Sequence, residues 1–274
     1  MAGVFEKAPL RMSTYVPLDL RYYNLILIGV FLASAYIQWT RRATWRCRWE
    51  SATTFCGACC TFGLTMGSPF VREKVWPELG LVDELLPIPQ IIGDGFVLMG
   101  MAAFLYSLAS RLDYDDEERM RWVTRNITLP VTIISPTLIG AFYSPLCDDR
   151  DVDALLTAAF AWWIFQIGRL LIIIYTTDPR SRGILRAYLS CCALALLAGA
   201  QRILGVAYNN DYDRHAWGLT ALAACGFGIT SAISWQRKQR HMKTVLWRKV
   251  RRGKATHADV LKARKQPKHQ LESF

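Results

Sequence analysis

The feature that most constrains this chain is the gathering of its apolar residues into seven runs of about 20, the length at which a helix crosses a bilayer. They cover roughly residues 22–39, 51–68, 86–108, 127–145, 153–177, 186–208 and 216–235. Hydrocarbon offers a backbone no hydrogen bonds, and a helix satisfies its own N–H and C=O groups. The pattern therefore predicts an all-α, polytopic membrane protein, a bundle of seven transmembrane helices. Residues 1–21 form a polar N-terminal arm, 22–235 the transmembrane domain and 236–274 a basic tail. In the arm, Lys7 and Arg11 alternate with Pro9, Pro17 and Asp19, with no apolar stretch before a small-residue cleavage site, so it does not read as a signal peptide.

Charge orients the bundle. One set of connectors carries Arg41, Arg42, Arg46 and Arg48, then Arg111, Arg119, Arg121 and Arg125, then Arg180, Arg182 and Arg186. With the 13 Lys and Arg of the tail that side holds 24, against 7 on the other. Positive charge stays in the cytosol, so the N-terminus is expected outside and the C-terminus inside the cell membrane. The formal charge of +11 equals the excess of 13 basic over 2 acidic residues within 236–274, and the rest of the chain is neutral. The basic balance thus describes a juxtamembrane segment and argues against a nucleic-acid partner. Around Val245, Leu246, Trp247 and Val250 the tail places Lys243, Arg248, Lys249, Arg251 and Arg252, the pattern of a basic amphipathic helix on anionic lipids of the cytosolic leaflet. The plainer alternative is a topology anchor that does nothing else.

Charges deep in a span are costly, and they mark function more often than chance placement would. Three stand out: Asp94 between Gly93 and Gly95 in the third run, Arg169 in the fifth and Arg202 in the sixth. Asp94 lies about eight residues from the outer end of its span and Arg202 about six, or roughly 12 and 9 Å at 1.5 Å per residue. Their matched depth predicts a pair in the outer half of the bundle. Gly93, Gly95, Gly199 and Gly205 would let neighbouring helices come close. Such a pair either fixes helix packing or lines a polar pocket. Arg169 shares a helical face with Trp162 and Gln166, at i−7 and i−3, and is expected to snorkel toward the cytosol or to meet an anionic ligand.

Cys56, Cys59 and Cys60 in the second run and Cys191 and Cys192 in the sixth lie at similar depth. No histidine accompanies them, so buried apolar cysteines are the better reading and no metal is assigned. All four histidines lie outside the runs and the seventh run has no lysine, which leaves no bis-histidine haem and no retinal Schiff base. No cofactor is expected. Asp149, Asp151 and Asp153 echo a calcium loop, but Ala154 follows where its glycine belongs, and they read as a solvated rim.

Gly67-Ser68-Pro69 closing the second run, Leu86-Pro87-Ile88-Pro89 ending an outer loop, and the long apolar third run resemble an actinobacterial family of seven-helix membrane proteins of unknown function, often labelled as transporters. The resemblance covers roughly 22–240 and implies the same layout, but no site residues. With no catalytic motif visible, the leading expectation is a small-ligand-binding or sensory protein whose polar pocket holds Asp94, Arg202, Arg169 and Gln166 and whose tail meets a cytosolic protein partner. The alternatives are a small secondary transporter with Asp94 as coupling site, a membrane-embedded enzyme, and a structural subunit of a membrane complex.

Overall fold

The computed structural model describes residues 20–79, 88–112, 115–144, 149–208 and 212–241. The arm up to residue 19, the outer loop containing Leu86 and Pro87, and the tail from 242 on, with Lys243, Arg248, Lys249, Arg251 and Arg252, lie outside the described residues. The elements are helical throughout: α1 Leu20–Arg41, α2 Arg48–Met66, α3 Trp76–Glu78, α4 Ile88–Ala109, α5 Asp116–Val123, α6 Leu129–Tyr143, α7 Asp149–Thr177, α8 Arg182–Tyr208 and α9 Tyr212–His241.

Five helices are long and apolar enough to cross a membrane, or six if one bent pair is a single span. The chain is a multi-pass membrane protein. The bent pair is α2 with the helical stretch Val71–Glu78, turned by 51°. Where the sequence has Gly67-Ser68-Pro69 ending a span, the helix breaks and then resumes. Gly67 caps α2 and Pro69 has no N–H to continue its ladder. The fourth run falls on α6, which at 15 residues is short of a span by itself. Pro130 sits just inside α6, where the helix runs on from Thr124–Thr128, and the turn before it, one N–H short, widens to a π-helix.

Side-chain contacts fix the relative directions. Trp217 near the start of α9 meets Tyr23 near the start of α1 edge to face at 6.1 Å and donates its indole N–H to the Leu64 carbonyl near the end of α2 (3.1 Å). At the opposite end, the close of α1 (Arg41), the opening of α2 (Glu50) and the close of α9 (Lys238) gather with Arg111, just past α4. Phe104 late in α4 packs at 5.7 Å on Tyr188 early in α8, and Asp153 early in α7 meets Arg202 late in α8. Hence α1, α4, α7 and α9 run one way, and α2 and α8 the other.

The tightest crossing joins α2 to α4. A Cβ on Gly63 would fall 2.5 Å from the Gly93 carbonyl oxygen, one on Gly93 2.8 Å from Met66 Cβ, and one on Gly100 3.0 Å from Cys59 Cβ. Small residues let the two backbones touch, a main source of helix affinity where lipid removes the hydrophobic drive. Leu105, Leu108, Leu156, Trp163, Leu170 and Leu171 form the centre of the core. Leu25, Leu32, Trp39, Ile133, Ile172 and Leu222 face outward, which is costless against lipid tails.

Candidate functional site

At the middle of the bundle lies a cavity of about 110 Å³, walled by α1, α2, α4, α7, α8 and α9. Ser34 and Ile37 line it from α1, Cys56, Cys60 and Thr61 from α2, Phe104 from α4, Ile167 from α7, and Cys225 and Ser231 from α9. Its hydroxyls are already engaged. Those of Ser34 and Thr61 lie 2.9 Å apart, and Thr61 donates to the Gly57 carbonyl. Thr53 and Ser107 share a bond at 3.0 Å, Thr220 donates to the Ala216 carbonyl and Ser231 to that of Gly228. What remains toward the space is hydrocarbon, aromatic ring and thiol. An engineered apolar void of roughly 150 Å³ stays dry and takes benzene, so this wall suits a compact apolar guest of that order better than a polar one.

The seven described cysteines are free thiols. The helical repeat separates those of α2: Cys56 and Cys60 share a face, their sulfurs 3.9 Å apart at the cavity, while Cys59 turns to Gly100 of α4. Cys191 abuts Gly226 of α9 and Cys192 is buried in the core. Among the described residues no three His, Cys, Asp or Glu side chains come together in a way that could hold a metal ion.

The cavity floor is tied to a buried charge network at the arginine-rich end. Arg41 is 2% exposed and donates through Nε to Thr54 Oγ1 (3.0 Å), through Nη1 to the Ser231 carbonyl (2.9 Å), and through Nη2 to the Glu50 carbonyl (3.2 Å) and to Glu50 Oε2 (2.9 Å). Its guanidinium also faces the Trp235 ring at 5.9 Å. The other carboxylate oxygen of Glu50 takes Lys238 Nζ and lies 3.8 Å from Arg111 Nη2. Beside this network, between α1 and α2, burial and the Glu50 charge push the Cys47 thiol up to about 11, against the lowering pull of Arg41.

The residues singled out in the sequence separate. Arg202 pairs with Asp153 of α7 at 3.1 Å. Helix α8 packs against α7, and this brings the Asp153 carboxylate of α7 to Arg202. Asp94 is half-buried on α4 next to the Gly93 crossing, but Gly95 faces open space and Gly199 makes an ordinary 3.7 Å contact with Thr157. Arg169 and Trp162 lie on the exposed face of α7, while Gln166, expected beside them, is 2% exposed, with no hydrogen-bond partner for Oε1 among the described residues. Three residues around a helix is 300°, enough to turn Gln166 inward at the edge of the lipid-facing stripe.

The Glu50 network and Asp153 were not foreseen. The available signal was one carboxylate in a connector whose other charges, from Arg41 to Arg48, are arginines. Asp153 had been placed with the solvated acidic rim because it opens its span. Comparisons with protein-family models, with characterised proteins and with solved structures find no match to this chain, and add no family to the resemblance.

Proposed function

We propose that this chain is a seven-span protein of the cell membrane, its N-terminus outside and its C-terminus in the cytosol, that binds a small apolar molecule in its central cavity. The observation that carries the reading is the wall itself: engaged hydroxyls leave apolar and thiol surface facing the space, across six helices. Seven crossings are supported by the chain's path. Arg111 after α4 lies at the arginine-rich end and Asp153 in α7 at the other. Residues 112–148 must return between these ends, and α6 with the π turn before it supplies 20 helical residues, roughly 30 Å at 1.5 Å per residue. The arginine-rich end is the cytosolic one by the positive-inside rule.

The polar pocket expected around Asp94 and Arg202 is a second candidate site, beside this apolar cavity. A transporter that uses Asp94 as coupling site is the second reading, favoured by a carboxylate half-buried on a membrane helix. The deciding experiment titrates purified, reconstituted protein with toluene and indole and follows thermal stability. The ligand reading expects a rise that Ala224→Phe, which fills the cavity from α9, removes. No stabilisation, or equal stabilisation of Ala224→Phe, overturns it. Accumulation of solute in proteoliposomes that fails in Asp94→Asn would favour transport instead.

A further inference from the structure

We infer a second binding site, for a single phosphate-bearing anionic lipid headgroup, between the ends of α4 and α9, with Arg111 and Lys238 as its cationic walls and Glu50 as its floor. It stands apart from the cavity and from the diffuse attraction expected of the tail. Charge and burial together point to it. Glu50, its side chain 4% exposed, gives one oxygen to the sealed Arg41, so Lys238 and Arg111 share the other. Among the described residues three cations thus face one carboxylate, a local excess of two positive charges.

The two sharing cations are only about a third exposed, at 31% for Lys238 and 32% for Arg111. Arginines that merely anchor topology differ: Arg42 and Arg46 at this same end are exposed. A half-desolvated cation has lost much of its water and gains more from a second anion than a solvated one does. The longer Arg111 contact, 3.8 Å, leaves most of its five donors unused, and Lys238 has donors to spare. A phosphodiester carries a full negative charge and two free oxygens, which can take one donor from each. Both cations sit beside the last turns of their helices, the ends that reach the headgroup region when such helices span a bilayer.

Full-length protein in detergent, mixed with phosphatidylcholine and phosphatidylglycerol, is analysed by native mass spectrometry, with inorganic phosphate as a parallel arm. One phosphatidylglycerol per chain is expected to survive conditions that strip phosphatidylcholine. Its affinity should fall about tenfold in Lys238→Gln and in Arg111→Gln, persist in Lys238→Arg, and persist when Lys243, Arg248, Lys249, Arg251 and Arg252 are all changed to Gln. Millimolar inorganic phosphate that displaces the lipid in wild type but has no effect in Lys238→Gln also supports the site and makes a soluble phosphate a competing occupant. Retention that is lost with the tail changes and kept in Lys238→Gln overturns it. Should the Gln variants fail to fold, wild type alone decides: acetylation of the Lys238 amine must slow in phosphatidylglycerol relative to phosphatidylcholine, and an unchanged rate overturns the site.

Discussion

Glu50→Gln isolates what the buried network contributes. The substitution keeps the shape and removes the charge that Arg41, Lys238 and Arg111 converge on. Arg41 would keep Thr54 Oγ1 and the carbonyls of Ser231 and Glu50, so its hydrogen bonding is mostly preserved. What is lost is the charge behind two charge-assisted bonds, from Arg41 and from Lys238, in a setting where Arg41 is 2% exposed, and three cations are left facing each other. Removing one partner of a buried pair costs about 3–5 kcal/mol, and the retained bonds put this case near ~3 kcal/mol. For a bundle of this size that is a fall in midpoint of roughly 6–12 °C. The assay is thermal unfolding of purified protein in one detergent, repeated in high salt. Salt reaches exposed charges and leaves sealed ones, so the difference between wild type and variant should survive it. Arg41→Met in the Glu50→Gln background should cost less than the two single changes added together, because it removes the orphaned cation. A midpoint within about 2 °C of wild type, the scale of an ordinary surface change, would refute the claim that this network holds α1, α2 and α9 together. So would simple additivity of the double variant.

Gly63→Ala and Gly95→Ala form a matched pair: the first drives a methyl toward the Gly93 carbonyl and should lower the unfolding midpoint by the equivalent of about 2 kcal/mol, while the second meets nothing within 4 Å and should be neutral or stabilise by up to about 1 kcal/mol. Equal effects in thermal unfolding would show that α2 and α4 are not in contact there. Asp153→Asn and Arg202→Gln should show a coupling of about 0.5–1 kcal/mol in a double-mutant cycle, modest because the side chains are 27% and 21% exposed, and larger than the coupling between Asp94→Asn and Arg202→Gln. Cys47 should react slowly with maleimide at pH 7 to 8. Its folded thiol titrates near 11, so its rate should keep rising beyond pH 9, where a solvated cysteine has levelled off; a plateau near 9 would place it in water.

The all-helical membrane architecture was legible because a membrane imposes a length rule that does not depend on partners. The seven runs map onto α1, α2, α4, α6, α7, α8 and α9. The prolines and glycines of the second and fourth runs then decide details that hydropathy averages away, the 51° break after Met66 and the shortness of α6. Pairing is another matter. Depth is a one-dimensional coordinate, and it gave no sign that Asp153, at the opening of α7, meets Arg202 late in α8. Asp153 and Glu50 were passed over because each opens a helix, where a carboxylate looks solvated. Yet helix ends at one face of a bundle converge, and a residue at the rim of its own helix can be interior to the group. Arg41 makes the point most sharply: as sequence it is one more inside positive charge, and in the fold it is sealed between α1, α2 and α9 on a single carboxylate, with the cavity wall at Ser231 as its other anchor. The same arginine that helps set topology also joins cavity to charge network. A cavity occupant that displaced the Ser231 carbonyl would therefore be felt first by Arg41, and through Glu50 by Lys238, in the first residues of the basic tail.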